Sequence, residues 1–319
     1  MKTNISLILI LCLLLGACKN GNASSQNKSE TPQDTIKAIK MPAIPQMMTA
    51  PEQRADFLAK HYWDNVNFAD TNYIHHPEVT EQAWADYCDL LNHVPLETAQ
   101  QAMRNVIDRT NVDKKVFTYI TDLADKYLYD PNSPMRNEEF YIPVLEAMIA
   151  SPVLNETEKI RPQARLKLAQ KNRIGTKALN FTYTLASGAQ GSLYQLKAEY
   201  LLLFINNPGC QACTETIEGL KNAPIINQLL QEKKLVLLSI YPDEELDEWK
   251  KHLSEFPNEW INGYDKKFTI KEEQVYDLKA IPTLYLLDKD KTVLLKDATA
   301  PAIEAYVLPW IWLTTISIN

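Results

Sequence analysis

Two cysteines three positions apart, Cys210 and Cys213, are the residues of this 319-residue chain best suited to chemistry. They follow an apolar run, Tyr200 to Ile205, that breaks at Asn206-Asn207-Pro208-Gly209, and Gln211-Ala212 lies between them. A continuous apolar run of about six residues suits a parallel strand covered on both faces, and Pro208-Gly209 is a turn signal that ends it. The thiols therefore fall on the first turn of the next helix, where free backbone N–H groups and the positive dipole end favour a thiolate. Cys210, at the tip, is the expected nucleophile, and Cys213, one turn inward, is placed to close a disulfide with it. The alternatives are a metal-binding pair and an inert one. Zinc takes about four ligands, and neither a second cysteine pair nor a nearby histidine supplies them. Haem attachment needs His where Thr214 stands, so no metal centre is expected.

Other reactive side chains are less promising. Cys88 falls in the spacing Trp84, Tyr87, Cys88, Leu91, which reads as a buried free thiol on a helix; a third redox cysteine is the sharper alternative. His61, His75, His76 and His93 read as surface or hydrogen-bonded histidines rather than ligands.

The elements that must position the dithiol extend to Ala280-Ile281-Pro282-Thr283, which leads into the apolar stretch Leu284 to Leu287. Proline is tolerated at the first residue of a strand. Together, the Cys-Gln-Ala-Cys segment and Ile281-Pro282-Thr283 resemble the thioredoxin superfamily, and a hairpin expected around Ser187-Gly188 resembles its TlpA-like and peroxiredoxin-like branch. The resemblance implies a cis bond before Pro282, lying beside the dithiol, with the Ile281 backbone free to pair with a substrate strand. Further expectations are strands at Phe181–Leu185 and Leu235–Tyr241, a hairpin around Asp288-Lys289-Asp290-Lys291, and a closing helix over Ala302–Leu308. About 69 residues separate Cys213 from Pro282, room for the inserted helix of TlpA-like proteins. This chain departs from thioredoxins at Gly209, where they carry Trp, and at Leu203, near which they bury an acid. Asn207 stands where a peroxiredoxin needs Thr, which disfavours peroxidase chemistry.

The chain is long enough for two domains, and its 45% apolar content is that of a folded globular protein. A net charge of −7 without a basic run argues against a nucleic-acid partner. Ile5 to Leu15 form an apolar segment of about 11 residues, too short for a bilayer that takes about 20, and Leu15-Gly16-Ala17-Cys18 follows. These features read as a secretory signal, and the four residues resemble the bacterial lipobox, which implies lipidation of Cys18. Lys19, rather than Asp, at the sorting position favours the outer membrane.

The expected organisation is a signal peptide over residues 1–17, a polar tether over 18–50, a helical domain over 51–172 and a thioredoxin-like α/β domain over 173–319. A flexible tether of about 32 residues reaches roughly 30 Å. Apolar stripes such as Val116, Phe117, Ile120, Leu123 and Ala124 predict five or six helices in the helical part. Its Tyr62-Trp63-Asp64-Asn65 segment resembles an uncharacterised domain that precedes thioredoxin folds in bacterial lipoproteins. The apolar tail over 309–319 has no assigned role. The expected function is thiol–disulfide exchange with extracytoplasmic protein substrates, leaning towards reduction, with a membrane electron donor and no cofactor beyond the Cys210–Cys213 disulfide. A disulfide isomerase and a non-catalytic binding protein are the alternatives.

Overall fold

Six helices, packed around one apolar core, lead into a seven-stranded sheet in this computed structural model, which describes residues 38–316 and side chains as far as Leu308. The expected signal peptide and Cys18 lie outside the described residues. The last part of the stretch expected as tether is described, and there Ile39 packs against the helical core.

The helical part comprises α1 (Pro51–His61), α2 (Pro77–Leu91), α3 (Leu96–Arg109), α4 (Lys114–Ala124), α5 (Glu138–Ala150) and α6 (Glu156–Ala169). Several N-termini have a local cause. Pro51 and Pro77 begin α1 and α2, where a missing N–H costs nothing. The Asp113 side chain accepts from the Lys115 and Val116 backbone N–H groups, and Asn155 forms a capping box with Glu158. The expected stripe Val116, Phe117, Ile120, Leu123 and Ala124 is buried, and after Ala124 the helix widens into a π turn over Asp125–Tyr129. Tyr62 and Trp63 lie in this core, with the Trp63 and Tyr87 rings edge-on at 5.5 Å. Cys88 is buried beside them, and that burial pushes its thiol pKa up.

The second part runs β1 (Thr182–Leu185), β2 (Gln190–Ser192), β3 (Tyr200–Ile205), α7 (Gln211–Lys221), α8 (Pro224–Gln231), β4 (Leu235–Tyr241), α9 (Leu246–Lys251), β5 (Ile261–Tyr264), α10 (Thr269–Glu272), β6 (Thr283–Asp288), β7 (Val293–Lys296) and α11 (Ala300–Ile316). The strand order is β2-β1-β5-β4-β3-β6-β7. β3 pairs parallel with β4 and antiparallel with β6, so it is an interior strand beside central β4. All six of its residues are buried, as a strand covered on both faces requires. Leu202 and Phe204 meet Ile217, Leu220 and Ile226 on the face covered by α7 and α8. Leu201, Leu203 and Ile205 meet Leu238, Tyr276 and Tyr285 on the other.

Two elements differ from expectation. β5 is a strand that sequence patterning missed, because Ile261-Asn262-Gly263-Tyr264 contains a turn-type Asn-Gly pair and no alternation. Its Gly263 lies under a close approach, since a Cβ there would sit 3.0 Å from the Tyr183 ring and the ring would have to give by a few tenths of an ångström. The closing helix is longer than expected, its backbone running through the apolar tail to Ile316. No described helix is long and apolar enough to cross a membrane.

The buried interior strand β3 generates a stability prediction. Replacing fully buried Leu203 by Ala should destabilise the fold by about 2–5 kcal/mol, read as a lowered urea midpoint. An unchanged midpoint would remove β3 from the centre of the core.

Candidate functional site

Cys210 stands at the junction of β3 and α7, where the chain turns through Asn206-Asn207-Pro208-Gly209. Buried Asn206 anchors that turn, with its backbone N–H on the Ile240 carbonyl at 3.0 Å and its side chain donating to Ser239 Oγ at 2.8 Å. Asn207 donates to Asp243 at 3.1 Å. Gly209 adopts φ +71°, a conformation that favours glycine, and a Cβ there would meet open space. Cys210 itself is the N-cap of α7.

The two thiols have different surroundings. Cys210 is half-buried, and its Sγ accepts from the Cys213 backbone N–H at 3.3 Å and donates to the Ile281 carbonyl at 3.8 Å. Cys213 is buried at 1% exposure, and its Sγ accepts from the Asn207 N–H at 3.5 Å. Burial, reinforced by the neighbouring Cys210 sulfur, pushes the Cys213 pKa up to about 12, against the lowering effect of the Asn207 N–H. At neutral pH Cys213 is therefore a protonated thiol. Both cysteines are free here.

Ile281 and Pro282 arrive from the other side. The Ile281–Pro282 peptide bond is cis, and Thr283, which opens β6, lies opposite Ile205 at the end of β3. Antiparallel pairing thus delivers the Ile281 carbonyl to the Cys210 sulfur. No acid replaces the one absent near Leu203 among the recorded partners of Cys213.

A buried charge cluster that sequence reasoning did not single out adjoins this strand end. Lys279, with its side chain 9% exposed, bonds to Glu138 and Asp277 at 3.1 Å and lies 3.3 Å from Asp297. Asp297 accepts from Thr283 Oγ1 at 2.7 Å, Arg136 donates to its backbone carbonyl at 3.0 Å, and Lys296 pairs with Glu138. Burial alone would raise the Asp297 pKa, but Lys279, Arg136 and the Thr283 hydrogen bond outweigh it and hold the carboxyl below its usual range. Burial alone would lower Lys279, and the three carboxylates reverse that. Beside the cluster runs a groove of about 710 Å³, lined by Ala212 and Thr216 of α7, by Ile281 and Pro282, and by Pro131 and Arg136 of the helical part.

Among the described residues no group of His, Cys, Asp and Glu could hold a metal. His61 pairs with Asp64 at 2.7 Å and His76 with Glu78 at 3.1 Å. The contrast between the two thiols predicts their order of reaction. Brief iodoacetamide treatment of the reduced protein at neutral pH should label Cys210 and spare Cys213 and Cys88, as read by peptide mass spectrometry. Equal labelling of Cys210 and Cys213 would contradict the buried, protonated state of Cys213.

Comparison with known proteins agrees with this architecture. Residues 198–293 match a family described as thioredoxin-like, and residues 17–172 match a domain of unknown function, DUF5106. No curated protein matches the chain. Among solved structures, a thioredoxin-like protein from Bacteroides caccae is 83% identical, with a TM-score of 0.84 over 86% of this chain and 99% of its own. The C-terminal domain of an uncharacterized protein from Bacteroides fragilis is 69% identical over 43% of this chain and 98% of its own, with a TM-score of 0.43. The thioredoxin domain of a thiol-disulfide oxidoreductase from Bacteroides vulgatus is 20% identical over 43% of this chain and 97% of its own, with a TM-score of 0.39. An identity of 83% across nearly the whole of the Bacteroides caccae protein, with both parts of the fold superposed, means that this chain belongs to the thioredoxin-like family.

Proposed function

We propose that this protein is a thiol–disulfide oxidoreductase that reduces disulfides in extracytoplasmic proteins through Cys210 and Cys213. One observation carries the reading. A half-buried thiol at a helix N-terminus has a second thiol's N–H at 3.3 Å and the carbonyl of the residue before Pro282 at 3.8 Å. The Cys210 thiolate attacks one sulfur of a substrate disulfide. A Cys210–substrate bond forms, the substrate S–S bond breaks, and the leaving thiolate takes a proton from solvent. Ile281 and Pro282 position the substrate segment during this step. Cys213 then loses its proton and attacks Cys210, so that the Cys210–Cys213 disulfide forms as the second substrate thiolate leaves. Two electrons pass from the protein to its substrate.

The environment of Cys213 suits this order. The adjacent Cys210 sulfur is one of the causes that keep Cys213 protonated. Engaging Cys210 in a mixed disulfide removes its charge and its hydrogen-bonding capacity, while the lowering contribution of the Asn207 N–H stays. Cys213 thus becomes a better nucleophile once its target exists. The cycle needs no cofactor beyond its own disulfide and requires an electron donor, for which a membrane partner is the reading. Anchoring through a lipid on Cys18 is part of the proposal, supported by Leu15-Gly16-Ala17-Cys18 after an apolar segment.

Replacing Cys213 by Ser should trap protein substrates on Cys210 as mixed disulfides that dissolve on adding dithiothreitol, whereas Cys210→Ser should trap none. The Cys210–Cys213 couple should also interconvert reversibly in glutathione buffers. Absence of trapped species together with an unresponsive couple would overturn the reading.

A further inference from the structure

Both flanks of Ile281–Pro282 end in the same charge cluster. Lys279, two residues before Ile281, bonds to Glu138, the first residue of α5. Thr283, directly after Pro282, bonds to Asp297. Asp297 in turn lies near Lys279, and Arg136 holds its backbone carbonyl. Three cations (Arg136, Lys279, Lys296) face three anions (Glu138, Asp277, Asp297), and two of the six, Arg136 and Glu138, belong to the helical part. Buried ion clusters add little net stability compared with apolar packing, but they fix geometry, and removing one member leaves an uncompensated charge. The fixed geometry here is that of the strand end that meets the Cys210 sulfur.

The helical part also shapes what can approach. Pro131, Asn132 and Arg136 line the groove of about 710 Å³ together with Ala212 and Thr216 of α7, Ile281 and Pro282. A groove lined by both parts of the fold and by Ile281 suits an extended chain lying along the Ile281 backbone. Small disulfides meet the same sulfur without needing the groove.

We infer that the helical domain takes part in substrate recognition: Glu138 is a positioning residue for the Ile281–Pro282 stretch, and the Pro131–Arg136 segment lines a groove for an extended, disulfide-bearing segment of a protein substrate. This rests on the proposed oxidoreductase reading.

The test is single-turnover oxidation of the reduced full chain by insulin, a protein disulfide, and by hydroxyethyl disulfide, a small one. Glu138→Gln should raise the half-saturating insulin concentration roughly ten- to a hundredfold, with a much smaller change in the maximal rate and a clearly smaller loss with hydroxyethyl disulfide. Glu138→Asp should recover part of the effect. Arg136→Gln, at a partly buried position lining the groove, should give the same split in direction, and it decides the matter should Glu138→Gln fail to melt cooperatively. Equal losses with both disulfides, or no loss with either, would overturn the inference. A parent chain that exchanges with neither disulfide would sink the oxidoreductase reading itself, and this inference with it.

Discussion

Antiparallel pairing of β3 with β6, with Ile205 opposite Thr283, is the constraint on which the site depends. It brings together two groups 71 positions apart in the chain, the Cys210 sulfur and the Ile281 carbonyl. Side chains alternate faces along a strand, so a slip of one residue would turn Leu202 and Phe204 away from α7 and move the Pro282 peptide off the dithiol. The apolar residues of β3 therefore do two jobs. They fill two cores, one on each face, and they hold the register that makes the site.

Around that register, backbone groups do most of the chemical positioning. The Cys213 N–H, the Asn207 N–H and the Ile281 carbonyl are the recorded partners of the two sulfurs. Backbone groups in regular elements are rigid and carry no charge that titrates near neutral pH. The difference between the thiols then comes mainly from depth: Cys213 faces the interior and stays protonated, while Cys210 lies at the rim. Asn206 and Asn207, polar residues at the end of an apolar strand, hold the turn that sets this difference in depth.

The sequence revealed the dithiol, the Pro282 stretch and the order of most elements because each lies at a boundary where an apolar run meets Pro, Gly or Asn. The helices of the N-terminal part were legible for a related reason: Val116, Phe117 and Ile120 repeat with the period of a buried face. What stayed hidden had no local signal. β5 is four residues long and carries Asn-Gly. Ile39 lies among Met41, Pro42, Ile44 and Pro45, a stretch without helical or strand periodicity. The Glu138–Lys279 contact joins residues 141 apart, and charged residues read singly look solvated. Only the fold shows that Lys279, Glu138 and Asp297 are enclosed together, and that the helical part reaches the strand end beside the dithiol.

The sealed position of Cys88 has a bearing on electron accounting. Its thiol is enclosed among Trp84, Tyr87 and Leu91 in the other core, far from a role in relay. Among the described residues, one pair of neighbouring thiols is thus available, and in the proposed exchange that pair would carry two electrons at a time. Under the proposed reduction of substrates, each turn would leave that couple oxidised, and throughput would be tied to how often an outside reductant arrives.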